Sequence, residues 1–484
     1  MSNKSPNIIL IVCDQLRADC LGVSGNPVIR TPTFDSIARN GHYFSHARSE
    51  MPSCIGARRC IESGQAPEDH KMVGYQDMVP WQEENTLAKI LGKNGYYTMN
   101  VGKRHNFPRV GEEGLGGYEY NKQYEEWREF DDGFDDDYHQ FLKDNDQWYY
   151  GPFATRASNN SHLGAIFPLE ERFHPSSWIA AEGCKAVENW DQNHSDKPFF
   201  MHLSFSAPHP PFTPPVNYIN DYLNKDLPEP FIGDPANNVS GGGFGNRFFS
   251  EGSFKKLAPE ELHYTRAAYY GLVSHIDACI HQVLFYTHRE YRIKGVLENT
   301  IVVLTTDHGE MLGDHHRFNK TVGYEGSVRI PMMFNFPKGG DYEHLGRDLK
   351  YDSMVGNQDI LPSILGAIGV DAPEMVTGKN LFELMSNKNS FKEREFFQGE
   401  HYGVMHYLVK GDYKFIWNYK DGLNELFNLK EDPYECENLF NIKAYEDVGK
   451  DLLQLLTDQL KKRGDTFIKD GKLNKPTKSL VELL

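Results

Sequence analysis

Four short apolar runs constrain this chain more than any other feature. They are NIILIVCD (7–14), YYTMNVGK (96–103), KPFFMHLSF (197–205) and NTIVVLTTD (299–307). Each has the length and the β-branched or aromatic content of a strand buried on both faces, which is how the strands of a parallel sheet read. Helical patterns separate them. TPTFDSIARNG and NTLAKILGKNG both end in Asn-Gly, a helix stop, while SSWIAAEGCKAVENWDQ and the run from Pro259 to Glu290 carry apolar residues at helical spacing. Strands alternating with helices predict an α/β fold on a large, mostly parallel (mixed) sheet flanked by helices.

A chain of 484 residues has room for that sheet and a smaller unit besides. We expect an α/β catalytic domain over 1–372. Two insertions, at about 104–175 and 211–260, are rich in aromatic, acidic, Gly and Pro residues and lack periodicity. From 373 to 484 the pattern changes to short alternating stretches, YGVMHYLVKGDYKFIWN and NELFNL, followed by the helical YEDVGKDLLQLLTDQLKK. This predicts a C-terminal α+β subdomain with an antiparallel sheet and a terminal helix. A net charge of −17 argues against a general nucleic-acid partner. The seven cysteines are scattered with no C-x-x-C pair, so neither a disulfide framework nor a thiolate zinc site is expected. No segment reads as a membrane span, and the N-terminal apolar run is too short for a signal peptide, so the expectation is a cytoplasmic protein. A chain trimmed of its leader would read the same way, and no pattern bears on oligomeric state.

Each of the four runs leads into residues able to do chemistry. The first ends at Asp14-Gln15, the second at Lys103-Arg104-His105, the third leads to His209 in SAPHPPF, and the fourth to Asp307-His308 in TTDHGEMLGDHH. Ligands of parallel α/β sheets bind beyond the carboxyl ends of the strands, so these groups are candidates for one site. Two carboxylates brought together from separate strands call for a cation; Gln15 offers it a neutral oxygen and His308 a nitrogen. A fifth stretch, SEMPSCIGARRCIESGQ, sets Cys54 four residues ahead of Arg58.

Taken together these segments resemble the sulfatase family of the alkaline-phosphatase superfamily, in order and over nearly the whole chain. PNIILIVCDQLRADCLG resembles the family's first strand and metal pair, CIGAR its Cys-x-Pro-x-Arg signature, GKRH its Gly-Lys-Trp-His segment, SAPHPPF its sulfate-binding histidine loop, and TTDHGEMLGDH with the later Asn-Lys its second metal pair and lysine. DILPSILGAIGV and LFNLKEDPYECENL resemble two further landmarks. The resemblance implies an alkaline-phosphatase-like fold and hydrolysis of a sulfate monoester, aryl or carbohydrate, by a formylglycine that a maturation enzyme makes from Cys54. It implies that Asp14, Gln15, Cys54, Asp307 and His308 hold Ca2+, with Mn2+ as the alternative. Arg58 would orient the nucleophile, with Lys103 and His105 around it. Lys103, His209 and Lys320 would bind sulfate, and His209 or His105 would protonate the leaving oxygen. Two other readings use the same residues: a phosphonate monoester or phosphodiester hydrolase, and a sulfated-ligand binder without turnover if Cys54 is not converted.

The signature departs from the family at Gly56, where proline is usual. Arg59 reads as structural or solvent-facing, Cys60 as interior, and His315 and His316 as holding their loop. Trp81, Trp127 and Trp148 read first as packing and second as a platform for a ring. The acidic run Asp131–Asp137 lacks EF-hand spacing and reads as solvated, which favours a small or singly sulfated ester over a polyanion.

Overall fold

A computed structural model describes residues 5–109, 116–125, 135–148, 155, 160–236, 255–288, 296–387, 390–464, 466–478 and 480. Trp127, most of the acidic run and the glycine-rich stretch from 241 lie outside them. Among the described residues the strands of the main sheet are β1 (Asn7–Cys13), β2 (His42–Phe44), β3 (Tyr97–Gly102), β4 (Tyr120–Gln123), β5 (Phe199–Phe205), β6 (Thr300–Thr305), β7 (Met332–Asn335) and β8 (Leu349–Tyr351). They lie in the order β4-β3-β5-β1-β6-β7-β2-β8. The β3-β5, β5-β1 and β1-β6 pairs are parallel, as is β3-β4, while β7 runs against both β6 and β2.

The four strands expected from sequence are therefore four adjacent strands at the centre of the sheet. Period-two alternation divides β1 between two cores. Ile9, Ile11 and Cys13 join the cluster beneath the Pro175–Asn193 and Pro259–His288 helices, whereas Ile8, Leu10 and Val12 join the cluster beneath the Leu87–Lys93 and Ile360–Ala367 helices. Both faces being covered is what made these strands continuously apolar. Of the described helices, none is long and apolar enough to cross a membrane.

A second, four-stranded antiparallel sheet is formed by β9 (Phe397–His401), β10 (Met405–Lys410), β11 (Tyr413–Asn418) and β12 (Leu423–Asn428), in the order β12-β11-β10-β9. The Glu446–Lys461 helix packs its Leu452, Leu456 and Leu460 against it. This sheet grips the segment leading to Cys54. The Tyr407 hydroxyl donates to Ser49 O (2.8 Å), and Glu400 N donates to Glu50 O (2.8 Å). Lys414 on β11 is wholly buried with its Nζ 2.9 Å from Glu325 and 2.8 Å from Glu435, and Glu325 holds Arg48 at 2.9 Å.

Two expectations need correction. The stretch after residue 104 is not simply an insertion, since β4 extends the main sheet on the far side of β3. The end of the acidic run is not solvated either: Asp136 is buried, accepts from His139 N as a helix cap (2.8 Å), and accepts from Glu125 N (2.9 Å).

Candidate active site

Chain geometry at the sheet's carboxyl edge brings the candidate groups together. β1 delivers Asp14 and Gln15, β6 delivers Asp307 and His308, β3 delivers Lys103, and the loop after β5 delivers His209. Cys54 opens the Cys54–Ser63 helix, of which every residue is buried. Left-handed backbone marks the turns that aim these side chains: φ is 66° at Gln15, 59° at His105, 65° at Asn319 and 73° at Thr321. Such conformations persist only where the surroundings hold them. Asp307 Oδ1 accepts from Gln15 N (3.1 Å), and Glu125 accepts from the backbone N–H groups of Arg104 and His105 (3.0 and 2.9 Å).

At the centre, one ligand atom from each of Asp14, Cys54, Asp307 and His308 falls within 4.8 Å of all the others, and all four residues are buried. Cys54 Sγ is 3.2 Å from His308 Nε2 and 3.7 Å from Asp14 Oδ1. His308 Nδ1 lies 3.0 Å from Gly309 O, which fixes the tautomer with its proton on Nδ1 and leaves the Nε2 lone pair facing the cluster. Burial, above all, holds His308 below its ordinary value, so the ring is a neutral donor ligand. Two carboxylates, a neutral imidazole and an oxygen-bearing amide nearby suit a divalent cation.

Cations of the chain itself surround the carboxylates. Arg58, 2% exposed, donates from Nε to Asp307 (3.0 Å), from Nη2 to Asp14 (3.2 Å) and from Nη1 to both Lys103 O and Ser204 Oγ (2.9 Å each). Lys103 Nζ reaches Asp14 Oδ2 at 2.6 Å. Burial works against an ionised Asp14, yet Lys103, His209, Arg58 and His308 together hold it well below the usual carboxylate range. Burial and the adjacent Asp14 push the Cys54 thiol far up, so the unmodified sulfur is a protonated, poor nucleophile.

On the other side, Lys320 Nζ donates to His209 Nε2 and to Gln15 Oε1, each at 2.8 Å. His209 Nδ1 lies 2.8 Å from Pro210 O. Burial, then Lys320, keeps His209 well below its ordinary value, and burial with Lys103 does the same for His105. His105 Nδ1 is buried without a hydrogen-bond partner among the described residues. Every residue selected from the sequence thus reaches this region of the fold.

Sequence reasoning missed several supports. Ser204 holds Arg58, Asn357 Nδ2 donates to Asp307 O (2.9 Å), and Glu310 contacts Gln15. Glu310 sat in plain view within the Asp-His-Gly-Glu quartet. Gly56 also gains a reason: a Cβ there would stand 2.4 Å from Met51 Sδ and 2.9 Å from Met72 O, so the glycine is required by packing. Arg59 is buried, donating to Val79 O (3.0 Å) with its guanidinium 5.2 Å from the Trp81 ring centre; it is structural and not solvent-facing. Trp148 packs edge-on to His139 at 5.2 Å. His315 holds its loop through Nε2 and Tyr434 O (3.1 Å), and Cys60 is interior against His70.

Comparison with known proteins adds independent findings. A family model described as Sulfatase matches residues 6–370, and one described as N-sulphoglucosamine sulphohydrolase, C-terminal, matches 313–462. The chain is 34% identical to an arylsulfatase of Clostridium perfringens, over 97% of either chain. It is 28% identical to an ulvan-active sulfatase of Formosa agariphila, over 96% of this chain and 82% of that one. The crystal structure of a phosphonate monoester hydrolase of Agrobacterium radiobacter superposes with a TM-score of 0.75 at 20% identity, covering 94% and 96% of the two chains.

Proposed function

The chain belongs to the sulfatase family and is a sulfuric ester hydrolase, and on that premise we propose that it cleaves an aryl or carbohydrate sulfate monoester using formylglycine at position 54 and Ca2+. The observation that carries this reading is the buried cluster of Asp14, Cys54, Asp307 and His308 with Lys103 bonded to Asp14 and Lys320 bonded to His209 and Gln15 beside it. Asp14, Asp307, His308 and Gln15 are the groups that would hold the cation; oxygen donors dominate, which favours Ca2+ over Mn2+. Once in place, the cation and the converted residue supply an ionised hydroxyl as nucleophile.

The chain's own groups do the rest. Arg58, bonded to both carboxylates, ties Asp14 and Asp307 into one arrangement around the cation site. Lys103 and Lys320 present ammonium groups to the sulfate oxygens, and act in a buried site where little water dilutes their charge. His209 Nε2 accepts from Lys320 and so carries no proton of its own there. A proton for the leaving oxygen therefore passes through the Lys320–His209 pair. His105, with its buried Nδ1, lines the same pocket beside Lys103.

Conversion of Cys54 must precede folding, because its side chain is 2% exposed and begins a helix buried at every residue. The maturation enzyme is thus a partner of the unfolded chain. The test is a mass spectrum of the tryptic peptide Ser49–Arg58 from protein made in its native host, with assays of an aryl sulfate and an aryl phosphonate side by side. Aldehyde at position 54 and faster turnover of the sulfate support the reading. Faster turnover of the phosphonate would move the substrate to phosphorus, and an intact thiol on every copy would leave a binder of sulfated ligands.

A further inference from the structure

Glu310 follows the second metal pair, yet nothing said of the reaction uses it. It is fully buried, and its carboxylate meets three donors. Oε1 accepts from Leu312 N (2.9 Å) and from Asn319 N (2.6 Å), while Oε2 accepts from Gln15 Nε2 in a short contact. The other end of the Gln15 amide faces Lys320, whose Nζ donates to Oε1 at 2.8 Å. A primary amide is nearly symmetric in shape and has two orientations differing only in which atom is oxygen. Here one flank is a carboxyl that meets three N–H donors and offers them acceptor atoms, although burial raises it above its ordinary value, and the other is a donor without lone pairs. Only one orientation satisfies both.

We propose that Glu310 is a positioning residue that locks the Gln15 amide with its oxygen toward Lys320 and the cation site, and that also anchors Asn319, the left-handed residue carrying Lys320. The inference rests on the sulfatase reading for its catalytic consequence, though the lock itself is a matter of hydrogen-bond polarity. It also accounts for glutamine at position 15. A carboxylate at that position would face Glu310 directly, so the amide and the acid form a matched pair.

Three variants test this: Glu310→Gln, Gln15→Glu and the double exchange. In Glu310→Gln, the new side chain must give its oxygen to the two backbone donors, which turns its NH2 toward that of Gln15 and flips the latter's oxygen away from the site. Gln15→Glu sets two carboxylates against each other. The double variant restores a donor at 310 and an acceptor facing Lys320. Calorimetric titration of the chelator-treated protein with Ca2+ alone should show affinity reduced about 10–100-fold in Glu310→Gln, the usual cost of disturbing a ligand's outer partner, and regained within about threefold in the double. Gln15→Glu adds a carboxylate to the cation site and is read by melting temperature, which should fall in each single variant and recover in the double. A double variant no better than the worse single one, in both readouts, overturns the lock. Wild-type protein that binds no Ca2+ would instead count against the functional reading, and the lock would then stand or fall on melting temperatures alone.

Discussion

Gly56→Ala is the smallest change that tests how tightly the Cys54 turn is packed. The added methyl would sit 2.4 Å from Met51 Sδ and 2.9 Å from Met72 O, well inside ordinary contact. Met51 is fully buried, so its sulfur has little room to retreat, and the Met72 carbonyl is backbone. Overpacking of this kind costs about 1–3 kcal/mol. Against it stands the gain from replacing glycine inside a helix, roughly 1 kcal/mol. The net expectation is a loss of up to about 2 kcal/mol, seen as a fall of up to a few degrees in melting temperature for purified protein measured under one buffer condition. A Met51→Ala background should shrink that loss, because the methyl then enters vacated space, and the two changes should cost less together than their sum. If Gly56→Ala instead stabilises the chain, helix propensity has won and the steric account of the glycine is wrong. Were the account correct, the proline common in this family could not be installed here without repacking Met51 and the 72 region.

Lys103→Ala should lower kcat about 10²–10³-fold, as loss of one electrostatic contact to a developing charge does. Ca2+ affinity should hold or rise, because a cation leaves the side of Asp14; equal losses in both would show that Lys103 serves the metal and not the sulfate. Chelation should abolish turnover and lower the melting temperature together, with Ca2+ restoring both, whereas activity that survives exhaustive dialysis against chelator would refute a metal requirement. Burial raises Glu425 to about 7, against an ordinary 4.5, although Tyr324 donates to it at 2.9 Å. Between these values the native state keeps a proton that the unfolded chain has released, so Glu425's contribution to stability falls as pH rises from about 4.5 to 7 and is level above, alongside like contributions from the buried Glu50, Glu400 and Glu435. Glu425→Gln should remove Glu425's share of the slope and be on the order of 3 kcal/mol more stable than wild type at pH 8 relative to pH 4. An equal difference at both pH values would refute the assignment.

The central strands and the residues at their ends were readable because one cause wrote both. Burial on two faces made β1, β3, β5 and β6 continuously apolar, and the polar residues that follow each run are the ones reaching the site. Strands β2, β4, β7 and β8 have three or four residues apiece and lie towards the sheet's margins, too short for any period to declare itself. Glu310, Ser204 and Asn357 were missed for a different reason. Each reaches the site through a bond whose partner lies far away in sequence, as Ser204 does for Arg58, and a lone polar residue carries no local mark of such a bond. Gly56 looked like a weakness in the signature until Met51 and Met72 were placed beside it.

The grip of the C-terminal sheet on Ser49 and Glu50 has a consequence for timing. Arg48, Glu325, Lys414 and Glu435 form a buried chain of charges, and without Lys414 the Glu435 carboxylate loses its bonded cation while Glu325 keeps only Arg48. Lys414 follows Cys54 by 360 residues. At roughly 5–20 residues per second, the ribosome needs about 20–70 s to travel from one to the other. Throughout that interval the peptide around Cys54 is without its final clamp. The late β-sheet therefore acts as a clock: translation speed along the 360 codons between Cys54 and Lys414 sets how long the proposed maturation enzyme can reach the cysteine, and slow codons there would lengthen its opportunity without altering a single amino acid.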